Sequence, residues 1–176
     1  YFDEIMQIPR PSGKEQKITA YLKAFGQKHK LETLVDEVGN VLIRKPATKG
    51  REKLPWVVLQ SHVDMVCEKN SNITHDFEKD PIKAVVEKGW LIAKETTLGA
   101  DNGIGVAMQM AILADSSIEH GPIECLFTVD EETGLKGAFS LKSDFLKSRM
   151  LINLDSEEEG EFTIGCAGGG DTVARF

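Results

Sequence analysis

Apolar positions along the chain fall into two patterns. The first is helical. Ile18, Leu22 and Phe25 recur three and four residues apart, with Tyr21 beside them. They follow Ser12-Gly13-Lys14-Glu15, the order of a capping box. This predicts a helix from about Lys14 to Lys28 with Ser12 as its N-cap. Asn102 to Ala114 is apolar nearly all round, through Ile104, Val106, Ala107, Met108, Met110, Ile112 and Leu113. A helix of that composition is expected to be buried on most sides, with Met108 and Met110 both in the core. Leu135 to Leu146 predicts one or two short helices.

The second pattern is short and continuous. Trp56 to Gln60, Ile123 to Val129 and Met150 to Leu154 are apolar runs of strand length, with Glu161 to Cys166 as a possible fourth. Such runs suit strands covered on both faces. Two hairpins are expected, one within Thr33 to Lys45 around Val38-Gly39-Asn40 and one within Ile82 to Lys94 around Lys88-Gly89. Pro46 to Pro55 and Glu68 to Pro81 read as polar loops, and Thr172 to Phe176 as the start of a further strand. Buried strands alternating with helices make an α/β fold with a mostly parallel central sheet. No repeat or low-complexity linker interrupts it.

Composition narrows the picture. The chain has 176 residues, 41% of them hydrophobic, which is enough for one domain with a real core. Lys and Arg number 21 against 28 Asp and Glu, giving a net charge of −7. That balance speaks against broad binding to nucleic acid or to an anionic membrane surface. No run of about 18 apolar residues suggests a membrane span. The start lacks the basic and apolar regions of a signal peptide. Three widely spaced cysteines, Cys67, Cys125 and Cys166, with no CxxC, fit a reducing cytoplasm.

Chemistry gathers behind the strands. In open α/β sheets, ligands sit at the carboxyl ends of strands. Ser61-His62-Val63-Asp64 follows the first buried run, Asp130-Glu131-Glu132 the second and Asp155 the third. The apolar helix begins at Leu98-Gly99-Ala100-Asp101-Asn102-Gly103. One imidazole and several carboxylates thus converge on one rim. Mixed His and carboxylate ligation suits Zn²⁺ or Mn²⁺. So many acids would repel one another unless cations held them or some were protonated. Two metals about 3.5–4 Å apart would neutralise them and build a hydrolytic site. His62 and Asp64, two apart on an extended segment, point the same way, so Asp64 can hold the second ring nitrogen. Glu131 and Glu132, adjacent in extended backbone, are expected to point apart, which suggests a division between base and ligand. Asp101, at a helix N-terminus, is favoured as an anion.

The segments Ser61 to Val66, Thr97 to Gly105, Asp130 to Gly134 and Asn153 to Gly160 resemble the M20 family of dinuclear metallopeptidases. Within it, His75-Asp76-Phe77, Asp80-Pro81 and Gly165 to Gly170 look like the bacterial aminoacyl-histidine dipeptidases. The resemblance spans nearly the whole chain. It implies a three-layer α/β/α fold of the dinuclear-zinc exopeptidase kind, with residues 1–176 as the N-terminal portion of the catalytic domain. A lid domain and a C-terminal catalytic segment would lie outside this chain.

By that resemblance, His62 and Asp155 would bind one metal, Asp101 would bridge both and Glu132 would bind the second. Glu131 would be the general base and Asp64 would orient His62. A cis peptide at Asp101-Asn102 is also implied. The cofactors would be two divalent ions, zinc first, with manganese or cobalt as alternatives. The substrate would be a small peptide, an Xaa-His or other dipeptide, and the protein cytoplasmic, dimerising through the lid. In the family a second metal-binding histidine comes from late in a longer chain. His29, His75 and His120 match no such motif, so the second metal site is expected to be incomplete and the segment alone inactive.

Each of these residues also has a plainer reading. His62 alone could be a core histidine, Asp101 a helix starter and Glu131-Glu132 an exposed pair. The run Glu157 to Glu161 reads as a solvated loop, and Cys67 lacks the partner of a nucleophile. The glycine-rich stretches match no phosphate-binding pattern. A tripeptidase, an N-acyl amino acid deacylase, a non-catalytic metal-binding module and a nucleotide-binding domain are the alternatives.

Overall fold

The computed structural model describes residues 1–156, 158, 160–165, 168, 170 and 172–175. The chain opens with a short helix, α1 (Phe2–Met6), that the sequence pattern missed. It has five residues, too few to show a period, and it buries Ile5 and Met6. Helix α2 (Gln16–Lys28) buries Ile18, Leu22 and Phe25, the expected stripe. It starts two residues later than predicted, and the capping box does not form. Glu15 is the N-cap and makes no side-chain cap bond. The Ser12 hydroxyl instead donates to Asp64 Oδ2 at 2.7 Å. Glu15 Oε1 accepts from the Gly13 and Asp130 amides at 2.7 and 3.0 Å. A buried carboxylate and a buried amide from distant loops outcompete the local cap.

Strands β1 (Glu32–Val35) and β2 (Val41–Lys45) form the first hairpin. Asp36 Oδ1 accepts from the amides of Val38, Gly39 and Asn40 at 3.1, 2.9 and 2.9 Å, which closes the turn. Gly39 there has φ +106°, a value open to glycine. Strand β3 (Val57–His62) follows the polar loop, and β4 (Ala84–Glu87) with β5 (Trp90–Ala93) makes the second hairpin. Helix α3 (Ala100–Ala114) leads to β6 (Ile123–Thr128). One short helix, α4 (Lys136–Phe139), and strand β7 (Met150–Asn153) come after.

The five-stranded sheet has the order β1-β2-β6-β3-β7. Its β6, β3 and β7 run parallel, and the β1-β2 hairpin joins β6 antiparallel. On one face Ile5, Ile18, Leu22, Val106 and Met110 from α1, α2 and α3 pack against Val41, Ile43, Cys125 and Phe127. On the other, Leu42, Val58 and Leu126 lie under Leu141, Phe145 and Leu146. These three layers are the expected α/β architecture. Parallel β3, β6 and β7 all end at the same rim.

Three expectations about burial and extent are corrected. Strand β7 forms where predicted, but Met150, Leu151 and Ile152 are exposed, because β7 is an edge with one neighbour. Helix α3 buries Val106, Met110 and Leu113, whereas Ile104 and Met108 lie on an exposed apolar face beside β7. Composition cannot tell a helix covered all round from one whose second face is uncovered. Glu161–Gly165 and Thr172–Arg175 are not strands, and Cys166 and Phe176 lie outside the described residues. In the acidic run, Glu158 and Glu161 are exposed, while Glu157 and Glu159 lie outside the described residues. Among the described residues no helix is long and apolar enough to cross a membrane.

Candidate metal centre

His62 is the last residue of β3, and its imidazole is 1% exposed. The chain continues extended, so Asp64 lies on the same side, and its Oδ1 is 3.2 Å from His62 Nδ1. Asp64 is fully buried and saturated with donors. Besides His62, its carboxylate accepts from Ser12 Oγ and from the amides of Glu131 and Glu132, at 2.7, 3.1 and 3.2 Å. Burial alone would raise its pKa. The bonds from His62, Ser12 and the two amides outweigh it and bring the carboxylate down to about 2.

With Nδ1 tied to Asp64, His62 Nε2 faces the rim. Asp101 Oδ1 lies 2.9 Å from it, Asp155 Oδ1 3.8 Å and Glu131 Oε2 4.0 Å. Asp155 and Glu131 come from the segments after β7 and β6, as their strand-end positions predict, and Asp101 from the first turn of α3. Burial opposes a charge on the imidazole. The Asp64 hydrogen bond and the fields of Asp64, Asp155 and Asp101 overcome it and push its pKa up to about 9. Burial, with mutual repulsion opposed by His62, raises Glu131, Glu132 and Asp155 above the usual carboxylate range. Acids crowded in this way form a donor set whose repulsion a divalent cation would relieve.

Two groups of three donors place one ligand atom per residue within 4.8 Å of each other: His62 with Asp101 and Asp155, and His62 with Glu131 and Glu132. The chemistry of one imidazole with carboxylates fits zinc or manganese. The expectation that Glu131 and Glu132 point apart is corrected by this grouping. Asp130 has φ +52°, and a turn starts at once, with the Gly134 amide donating to Glu131 O. The two residues are therefore not on extended backbone, and both carboxylates reach the imidazole.

A third group, Glu15, Asp64 and Asp130, is buried behind the rim. Its oxygens are committed elsewhere: Asp130 accepts from Thr133 Oγ1 at 2.5 Å and Lys136 Nζ at 2.6 Å. This group is scaffolding. The peptide between Asp101 and Asn102 is cis, as the family resemblance implies. The Asn102 side chain donates to Leu154 O at 2.9 Å and Asp155 Oδ1 at 2.6 Å, joining the α3 and β7 loops. Cys67 is set apart from the chemistry, since burial pushes its thiol up to about 11, away from the reactive thiolate.

The sequence pattern missed Arg10. Its guanidinium is buried and donates from Nη1 to Val63 O and Asp64 O at 2.9 and 3.0 Å, and from Nη2 to Gly99 O at 2.5 Å. Burial lowers its pKa to about 10, so it stays charged at neutral pH. The signal available was a lone cation among Ile8, Pro9 and Pro11, and nothing in it names a partner 50 residues away.

A rim of carboxylates around one buried imidazole, on a three-layer α/β frame, is a donor set that could hold a divalent metal ion. Residues 58–170 match the profile of peptidase family M20/M25/M40, and the chain belongs to that family. It is 50% identical over 175 residues to the cytosol non-specific dipeptidase of Escherichia coli K12, covering 99% of this chain and 36% of that protein. Among solved structures it resembles an aminoacylhistidine dipeptidase from Vibrio alginolyticus, with a TM-score of 0.88 and 49% identity, over 90% of this chain and 32% of the other. A tripeptidase from Staphylococcus aureus matches with a TM-score of 0.74 and 28% identity, over 88% of this chain and 42% of that one. The chain thus spans about a third of the length of the dipeptidases it matches.

Proposed function

We propose that the protein hydrolyses dipeptides with a water activated at two divalent metal ions. The observation that carries this reading is His62: its Nδ1 is held by Asp64, while Nε2 faces carboxylates of Asp101, Asp155 and Glu131 at 2.9, 3.8 and 4.0 Å. His62 and Asp155 would hold one ion, Glu132 the other, and Asp101 would serve both. When bound, the ions would polarise the scissile carbonyl and lower the pKa of the attacking water.

The chain's own residues supply the rest. Asp64 fixes the tautomer of His62, with the proton on Nδ1, and so leaves Nε2 free as a ligand. Glu131 takes the proton of the attacking water on its carboxylate and passes it to the leaving amine nitrogen. Asn102 holds Asp155 in place through the 2.6 Å bond to Oδ1.

A dipeptide substrate is supported by the two relatives near 50% identity, both named as dipeptidases. Their names differ in breadth, one non-specific and one aminoacyl-histidine. The tripeptidase similarity is weaker in sequence, which ranks tripeptides second. The exposed β7 edge and the Ile104/Met108 face support reading residues 1–176 as one part of a larger catalytic domain. A lid domain, dimerisation through it and a second metal-binding histidine belong to that larger protein in this reading. A cytoplasmic location and zinc as the resident metal complete the proposal.

The test is Glu131→Gln in the complete polypeptide, assayed on dipeptides, tripeptides and N-acyl amino acids with metal content measured in parallel. Metal should be retained while dipeptide turnover falls about 100-fold or more. Near-normal turnover would remove Glu131 from the role of base. A parent active only on N-acyl amino acids would replace the dipeptidase reading with a deacylase.

A further inference from the structure

The segment entering α2 carries a buried cation that the proposed chemistry does not use. We infer that Arg10 is a positioning residue of the metal centre: its guanidinium fastens the segment after β3, Val63 and Asp64 beside His62, to the turn at Gly99 that leads into Asp101 at the start of α3. This rests on the metallohydrolase reading above and extends it to a residue that touches none of the proposed ligands' side chains.

The acceptors make the argument. Val63 O and Asp64 O directly follow His62, and Gly99 O lies two residues before Asp101. One planar fork therefore spans both loops, with Nη1 on one and Nη2 on the other. The guanidinium is rigid and delocalised, so three such bonds fix the loops' separation as well as their attraction. A lysine ammonium lacks that geometry.

The opposing loop is shaped for it. A Cβ built at Gly99 would stand 2.5 Å from Arg10 Nη2, and one at Gly103 would stand 2.8 Å from the same atom. Two glycines of the Asp101 motif thus leave space that the guanidinium shares with Met65 and Phe2. Arg10 is 2% exposed, and its direct partners in the structure are carbonyls. A buried cation without a paired carboxylate is costly to keep unless its position matters or nearby negative charge offsets it. Here the nearby charges are those of Asp64 and Asp101. The same segment reaches the remaining loops through Ser12 on Asp64 and Glu15 on the Asp130 amide. Arg10 is its rigid end.

The test uses the complete polypeptide, Mn²⁺ titration calorimetry, thermal melting and steady-state dipeptide hydrolysis. Arg10→Met removes the fork. Arg10→Lys keeps the buried charge and decides the matter if Arg10→Met fails to fold. Arg44→Met is the control: it breaks the buried ion pair with Glu124 at the other end of β6 and lowers stability without touching these loops. Arg10→Lys should fold, bind Mn²⁺ at least about tenfold more weakly and lose about tenfold in kcat, with KM within about threefold. Arg44→Met should lower the melting temperature yet leave Mn²⁺ affinity and kcat within about twofold. An Arg10→Lys protein within twofold of the parent in both quantities overturns the inference. So does an Arg44→Met protein that loses as much affinity as Arg10→Lys, since Arg10 would then act only through global stability. A parent that binds no Mn²⁺ overturns the metallohydrolase reading and this inference with it, which separates the two failures.

Discussion

Asp64 is the residue on which the centre turns. One fully buried carboxylate gathers an imidazole, a hydroxyl and two amides, and three of those donors sit on or beside proposed ligands. Asp64→Asn would keep the shape but put an amide where acceptors are required. Metal affinity should fall about 10- to 100-fold, read by Mn²⁺ titration, and unchanged affinity would remove Asp64 from the orienting role.

The pair also fixes a pH dependence in chelator, where no metal competes. His62 is raised from 6.5 to about 9 in the folded state. Its contribution to stability is therefore complete below about pH 6.5 and lost as pH rises through about 9. Asp64 is depressed from 3.8 to about 2, so its contribution is present above about pH 4 and lost as pH falls through about 2. Melting curves of the metal-free protein should drop between pH 6.5 and 9, and His62→Gln should flatten that drop. An equal drop in the variant would assign it elsewhere.

Elements act here mainly as carriers of loop ends, and the loop ends are sewn together by side chains. Asn40, at the start of β2, is wholly buried. Its amide donates to Gly137 O at 2.8 Å, and its Oδ1 accepts from the Val129 amide at 3.0 Å. It therefore ties the hairpin to both sides of the Asp130-Glu131-Glu132 turn. Asn40→Ala would strand two buried backbone groups and should cost about 2–4 kcal/mol in urea unfolding. A loss below about 0.5 kcal/mol would show that water or a shift of the turn replaces it.

At this scale the sequence was a good guide wherever local pattern and tertiary packing agreed. Both hairpins, α2, α3 and the strands β3 and β6 lie close to their predicted places. It misled at Ser12 and Glu15, whose capping sequence is real but whose side chains are drawn to Asp64 and Asp130.

For the whole molecule, the covered and uncovered faces matter most. The hydrophobic core closes on both sides of β2, β6 and β3, while β7 and the Ile104/Met108 side of α3 stay open. The two donor groups at the rim share His62 as their imidazole, and one Nε2 serves one ion. The proposed second ion thus needs a further ligand. Metal content by mass spectrometry should give two ions per chain for the complete polypeptide and one or none for residues 1–176 alone. Two tightly held ions in the 176-residue chain would show that its own carboxylates suffice.

Four things were determined by the sequence itself. It gave the alternation of buried strands and helices, the rim on which His62, Asp101, Glu131, Glu132 and Asp155 meet, the facing of Asp64 toward His62, and the family. Periodicity and strand-end position are local properties, and a strand's direction decides which of its ends carries chemistry. Tertiary structure alone decided the rest. It brought Glu131 and Glu132 together through the turn after Asp130, left β7 as an exposed edge, took Ser12 from its helix and placed Arg10 across two loops. Ser12 and Arg10 answer to partners about 50 or more residues away, and side-chain hydrogen bonds at that separation leave no periodic trace in the chain; the turn after Asp130 rests on a positive φ, and the exposure of β7 on its place at the end of the strand order, neither of which hydrophobic patterning encodes.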